Sequence, residues 1–103
     1  MYIDLGAEQL IAAQRGSTKI AVEIKSFVNP STISEFHAAN GQFLDYRYAL
    51  ESEEPERILY LAVPDSVYRA FFTLKFIQQV TQRSQIKILT YDPIEKSIVQ
   101  WIN

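Results

Sequence analysis

Two segments near the start of the chain show the alternation of apolar and polar residues that is typical of β-strands. Apolar and polar residues largely alternate over residues 2–8, and they alternate more cleanly over residues 20–25. Between these segments lies the polar stretch 14–18, in which Gly16 can adopt the positive φ that a tight reversal needs. We therefore predict that the two segments pair as a β-hairpin.

The alternation also predicts which side chains share a face of this hairpin. On the first segment, Asp4 and Glu8 are expected to point the same way. On the second segment, Glu23 and Lys25 share a face, and Ile20, Val22 and Ile24 point to the opposite face. Pairing of the two strands would bring the acids of the first close to Glu23 and Lys25 across the sheet.

A helix is predicted over residues 32–50, because apolar residues recur there at helical intervals. Thr32 and Glu35 have the spacing of a capping box, in which each side chain satisfies a backbone N–H that the helix leaves unpaired. Gly41 lies inside this helix at a cost of about 1 kcal/mol relative to alanine. Close packing against the sheet is one reason for a glycine there.

The rest of the chain predicts further strands and a second helical region. Residues 57–63 form a nearly continuous apolar run, typical of a strand covered on both faces, and follow the helix as in a right-handed parallel crossover. A helical region begins near Pro64 and breaks near Thr73, and residues 86–91 and 97–102 are predicted to form a terminal hairpin. The predicted fold is α/β, a mixed β-sheet flanked by helices in the order ββαβαββ, in a single domain that spans residues 1–103.

Composition narrows the class of protein. Hydrophobic residues make up 48% of the chain, which favours a folded protein over a disordered one. The chain has no cysteine, so it has neither disulfides nor thiolate metal ligands. The sequence shows no leader and no apolar run of membrane-spanning length, so we expect a cytoplasmic protein without a membrane partner. The formal charge of −2 argues mildly against broad nucleic-acid binding, but the clustered acids of a metal site lower the charge of a nuclease too.

The acids of the predicted hairpin form a candidate site for a hard cation. Mg²⁺ prefers oxygen ligands and keeps several waters, and a lysine beside it can orient an attacking water or stabilise charge on a phosphate. The spacing of Glu23 and Lys25 alone is also explained by a solvated strand face with an exposed ion pair. A turn at Gly16 places Glu8 nearly opposite Glu23. Asp4 lies further along and remains an alternative, because a bulge would shift the register.

Gln42 and Tyr46 are four residues apart on the predicted helix and therefore lie on one side of it. One explanation is the flank of an amphipathic helix. The other is functional: Gln42 would hydrogen-bond toward Glu23 and Lys25, or Gln42 and Tyr46 would both contact nucleic acid.

Several segments resemble one protein family over essentially the whole chain. The segments are 4–8 (DLGAE), 22–27 (VEIKSF), 41–46 (GQFLDY), 60–64 (YLAVP) and 98–102 (IVQWI). Together they are similar to the XisH family, named for a factor that controls excision of the fdxN element. That family belongs to the restriction-endonuclease-like, PD-(D/E)xK group of folds, which is related to Holliday-junction resolvases and to tRNA-endonuclease-like folds.

The resemblance implies roles for particular residues. Asp4 or Glu8 stands for the first metal-binding acid of that group. Glu23 stands for the second acid, with a catalytic as well as a metal-binding role, and Lys25 for the catalytic lysine. Gln42 and Tyr46 are similar to the Q-x-x-x-Y helix motif of RecB-like nucleases, so Gln42 is expected in the catalytic site and Tyr46 at the substrate.

The resemblance also implies a cofactor, Mg²⁺ or Mn²⁺, and a function in programmed DNA excision. One form of that function is metal-dependent cleavage of DNA. The other is a non-catalytic accessory role through contacts with a XisI-like protein or a site-specific recombinase. XisH-like chains normally carry a helix and a short strand before the segment 2–5. Their absence here is expected to leave apolar surface open to a partner chain or to a homo-oligomer.

Overall fold

The sheet has six strands, which lie side by side in the order in which they occur in the chain. The computed structural model describes residues 1–5, 8–28 and 30–102, and of residues 8 and 9 it describes the backbone only. The strands are β1 (Tyr2–Leu5), β2 (Glu8–Arg15), β3 (Thr18–Ile24), β4 (Ile58–Pro64), β5 (Ile88–Asp92) and β6 (Ser97–Ile102). β3, β4 and β5 are parallel, whereas β1, β2 and β6 run antiparallel to their neighbours, so the sheet is mixed as predicted.

Helices connect the parallel strands. α1 (Thr32–Glu53) joins β3 to β4. Between β4 and β5 lie α2 (Asp65–Val67), a contiguous π-helix (Tyr68–Phe72) and α3 (Lys75–Arg83). The predicted helical break near Thr73 is therefore confirmed. Among the described residues, no helix has the length and apolar character needed to cross a membrane.

Some details of α1 differ from the prediction. Its N-cap is Ser31, one residue earlier than expected, and the Ser31 Oγ accepts a hydrogen bond from the Ser34 N–H at 3.3 Å. The helix continues beyond Leu50 to Glu53, because Glu51 and Glu53 are good helix formers. Gly41 is exposed, and a Cβ at this position would meet no described atom within 4 Å. Close packing therefore does not explain this glycine.

The first fifteen residues form two strands and not one. β1 pairs antiparallel with β2, with Leu5 opposite Glu8 and Asp4 opposite Gln9. Residues paired across a sheet point to the same face, and successive residues alternate, so Asp4 and Glu8 lie at positions on opposite faces. The prediction that they share a face is wrong. The sequence pattern does not predict β2, because the centre of this strand, residues 10–13, is apolar throughout and does not alternate.

The prediction that residues 2–8 and 20–25 pair directly is wrong, because β2 lies between β1 and β3. The predicted turn at Gly16 and the terminal hairpin are confirmed. Gly16 has a φ of 63° in the turn between β2 and β3, where Arg15 pairs with Thr18. β5 and β6 form the terminal hairpin. With the additional strand, the order is βββαβααββ rather than ββαβαββ.

Two separate clusters of buried residues lie on the two faces of the sheet. The helix face, which includes Leu61 and Val63, packs against the buried residues of α1 and of the second helical region. The outer face includes Val22 and Tyr60, and its buried cluster consists of strand residues only. The helix face is therefore the enclosed face of the sheet.

Candidate metal and nucleic-acid site

Glu23 is a buried carboxylate on the helix face, with only 7% of its surface exposed. It pairs with Leu61 of β4, and Leu61 pairs with Ile88 of β5. On the other side, Ile11 of β2 pairs with Val22 of β3. Continuing this register by one residue brings Leu10 opposite Glu23. The carboxylate thus interrupts an apolar row of the sheet. Burying a carboxyl group is costly, and buried polar side chains of this kind are often found at functional sites.

Lys25 lies on the same face as Glu23. The Lys25 N–H donates to the Ala62 carbonyl at 2.9 Å, so the pairing of β3 with β4 continues past the end of β3. Strand alternation then turns the half-buried side chain of Lys25 toward the helix face. The structure therefore places Glu23 and Lys25 on one face at the carboxyl end of β3, where α/β sheets commonly bind ligands.

Asp4 lies on the other side of the sheet. Tyr2 pairs with Ile11, and Ile11 pairs with Val22, so these residues form one row of the outer face. Asp4 follows Tyr2 by two residues and shares that face, where it is exposed. This register contradicts the prediction that Asp4 and Glu23 bind one metal ion.

Glu8 occupies a position on the helix face. It precedes Leu10 by two residues in β2 and therefore lies diagonally across from Glu23, not opposite it as predicted. Diagonal neighbours on adjacent strands are about 7–8 Å apart, within reach of long side chains. The side chain of Glu8 lies outside the described residues. By backbone position, Glu8 is the acid of the first hairpin that fits a site shared with Glu23.

α1 covers this face and contributes Gln42 and Tyr46. Tyr46 is buried, with 8% exposed, and the Gln42 Oε1 is buried too. Among the described residues, no hydrogen-bond partner reaches the Gln42 Oε1. A buried amide oxygen without a donor loses its hydration, so the site favours an additional donor such as a bound water.

The described side chains supply only part of a metal site. Within residues whose side chains are described, no group of three His, Asp or Glu side chains could hold an ion. Mg²⁺ needs only one or two carboxylates when it keeps several waters. Of the residues predicted to hold a metal ion, Glu23 and Glu8 occupy positions on this face of the sheet.

A cavity of about 580 Å³ lies elsewhere, between α1, α3 and the first residues of β4 and β5. Glu23 does not line it. Two of its cationic residues are tied to the backbone, because Arg47 donates to the Ser84 carbonyl at 2.9 Å and Arg57 to the Ile20 carbonyl at 3.0 Å. We assign these arginines to the stability of the fold.

The sequence analysis missed a polar network at the carboxyl end of β4. The Asp65 Oδ1 accepts hydrogen bonds from Thr90 Oγ1 at 2.9 Å and from Gln100 Nε2 at 3.4 Å. The Asp65 Oδ2 pairs with Arg69 Nε at 2.9 Å. The four-residue spacing of Asp65 and Arg69 is a signal that the sequence contains, whereas Thr90 and Gln100 reach Asp65 only through the pairing of the strands.

Comparisons with known proteins agree on one family. The family model described as XisH protein matches residues 1–99. A crystal structure of an XisH family protein from Nostoc punctiforme PCC 73102 is 50% identical, with a TM-score of 0.88 over 100% of this chain and 83% of the other. A crystal structure of a fdxN element excision controlling factor protein from Anabaena variabilis is also 50% identical, with a TM-score of 0.88 over 100% and 82% of the two chains. No curated protein matches the chain.

The family model covers nearly the whole chain, and both crystal structures cover all of it with the same fold. The chain therefore belongs to the XisH family.

Proposed function

We propose that this protein acts in DNA element excision as a metal-dependent nuclease with a restriction-endonuclease-like fold. The observation that carries the proposal is the burial of Glu23 in an apolar row of the helix face, with Lys25 on the same face two residues later. A structural protein would be more stable with an apolar residue in that row. The mixed sheet and the excision controlling factor from Anabaena variabilis support the same proposal.

Each residue of the site would have its own role in phosphodiester hydrolysis. Glu23 and Glu8 would hold Mg²⁺ or Mn²⁺, which polarises the phosphate and lowers the pKa of its water. The Gln42 Oε1 accepts a hydrogen bond from the attacking water and so fixes its position. The water oxygen would bond to phosphorus while a P–O ester bond breaks, and the water's proton would pass through solvent to the leaving oxygen. The Lys25 ammonium would stabilise the charge that develops on the phosphate. Tyr46, on the same side of α1, would contact the substrate.

The test is a cleavage assay on branched, single-stranded and duplex DNA with Mg²⁺ or Mn²⁺. Glu23→Gln and Lys25→Met should each lower the cleavage rate by at least about 100-fold, because each removes a group that acts in the transition state. Glu8→Gln should have a similar effect. Asp4→Asn is the matched control: it removes an acid of the same hairpin from the outer face and should leave the rate unchanged.

Three outcomes of this assay would contradict the proposal in whole or in part. Wild-type protein that cuts none of these substrates with either metal would rule out the nuclease. Cutting that survives both Glu23→Gln and Lys25→Met would assign the activity to a contaminant. Loss of activity in Asp4→Asn but not in Glu8→Gln would show that the acids are arranged differently from the register described above.

The second candidate is an accessory factor that works through protein contacts with a recombinase or a XisI-like partner. The outer face favours it, because Tyr2 and Ile24 are 65% and 52% exposed there and its buried cluster contains no helix residue. Parallel strands are usually covered on both faces. Co-purification of a partner that is lost in Ile24→Lys but kept in Glu23→Gln would support this candidate over the nuclease.

A further inference from the structure

Asp65, at the start of α2, is held from several sides. Thr90 of β5 and Gln100 of β6 donate to its Oδ1, and Arg69 pairs with its Oδ2. Thr90 is fully buried, so its hydroxyl has a fixed position in the sheet. A carboxylate with partners on two strands and one helix has little freedom to move.

Arg69 is bound to this fixed carboxylate and yet is exposed. Its side chain is 72% exposed, against 16% for Asp65. An arginine on the surface is usually mobile, but here the Nε is held at 2.9 Å from the Asp65 Oδ2. Besides the Nε, the guanidinium carries N–H donors on both Nη atoms, and a side chain this exposed can present them to another acceptor. A guanidinium ordered in this way loses less entropy when it binds a ligand.

The Asp65–Arg69 pair lies at the same edge of the sheet as Lys25. The backbone bond from Lys25 to Ala62 places Lys25 beside Val63, and Val63 pairs with Thr90. Adjacent strands are about 4.8 Å apart, so Lys25 and Thr90 are roughly 10 Å apart across one row.

We propose that Arg69 contacts a backbone phosphate of nucleic acid that lies across the carboxyl ends of β3 and β4. Arginine binds phosphate through paired N–H donors, and the donors of the two Nη atoms suit that geometry. Because the chain has a net charge of −2, affinity for DNA must come from local, ordered cations rather than from a general positive field. Asp65 and Thr90 are then positioning residues. This inference rests on the proposed function in one respect, that the protein binds nucleic acid at this edge.

The experiment is fluorescence anisotropy of labelled duplex and branched DNA without divalent metal, over a range of salt concentrations. Arg69→Gln should weaken binding about tenfold at low salt and lower the salt slope by about 0.9, the value for one lost phosphate contact. Arg83→Gln is the matched control, because Arg83 is an exposed arginine at the end of α3, and the chain runs from there into the amino end of β5. It should bind within about twofold of the wild type.

A second pair of variants tests the positioning role. Thr90→Val keeps the volume and removes the hydroxyl that holds Asp65, so it should weaken DNA binding several-fold. Thr90→Ser restores the hydroxyl and should restore binding. Wild-type protein that binds no DNA would overturn the nuclease and this inference together. Wild-type binding with an unchanged affinity and slope in Arg69→Gln, or equal losses in Arg69→Gln and Arg83→Gln, would overturn this inference alone.

Discussion

Phe27 stores backbone strain directly after the Glu23–Lys25 segment, and this strain can be measured. Its φ is 56°, in the left-handed region, which costs a residue with a side chain about 1–2 kcal/mol. The residue is nonetheless buried, and its ring packs edge-on against Phe72 with centroids 5.5 Å apart. Packing of the ring therefore holds the backbone in a conformation that it would otherwise leave.

We predict that glycine is more stable than alanine at position 27, which reverses the usual order of their stabilities. Phe27→Ala and Phe27→Gly both lose the ring, at a cost of about 3–5 kcal/mol, but only glycine relieves the strain. After allowance for the greater freedom of glycine in the unfolded chain, Phe27→Gly should be more stable than Phe27→Ala by about 0.5–1 kcal/mol. At the exposed helical position Ala38 the order should be normal, with Ala38→Gly less stable than wild type by about 1 kcal/mol.

Urea and thermal unfolding followed by circular dichroism would measure these differences. A change of 1 kcal/mol shifts the melting temperature of a domain of this size by about 4–8 °C. If Phe27→Gly is no more stable than Phe27→Ala while Ala38→Gly is destabilised as expected, the backbone at Phe27 carries no such strain.

Three other changes test separate features. Gly41→Ala should raise the free energy of unfolding by about 0.5–1 kcal/mol in urea titrations, since a Cβ there meets no described atom; destabilisation would reveal a contact. Lys96 has a φ of 56° in the last turn, so Lys96→Gly should raise the melting temperature, and a lower value would contradict the turn geometry. Burial raises the pKa of Tyr91, so the unfolded chain loses the phenol proton first as pH rises. Stability should therefore fall above about pH 10, and Tyr91→Phe should reduce this fall in unfolding experiments; an identical pH dependence would refute it.

The sequence predicted the site best where local pattern and tertiary structure agree. Residues 20–25 alternate except at Ala21, and the structure places Glu23 and Lys25 on one face, as the alternation predicted. The spacing of Gln42 and Tyr46 put both on one side of α1, and in the structure Tyr46 and the Gln42 Oε1 are both buried. In these cases a single period fixes the side chain's direction, and no distant contact changes it.

The sequence failed where the outcome depends on pairing between distant strands. β2 contains adjacent apolar residues, so only its pairing with β1 and β3 on either side defines it as a strand. Without a separate β2, a single strand over residues 2–8 would have Asp4 and Glu8 on one face. The network around Asp65 was missed for the same reason, since Thr90 is twenty-five residues away and meets Asp65 only because β4 and β5 are neighbours.

The registers of β1, β2 and β3 decide which acids of the first strands share the face of Glu23. Because side chains alternate with a period of two, a shift of one residue between β1 and β2 would move Asp4 to that face and leave the position of Glu8 unchanged. The observed register leaves Asp4 exposed on the outer face, whereas the backbone position of Glu8 belongs to the helix face. An acid on the outer face is solvated and adds solubility, whereas an acid on the helix face acts in a low dielectric, where charge interacts strongly with a metal ion or a phosphate. The burial of Glu23 on this face is the feature that the proposed nuclease function would explain.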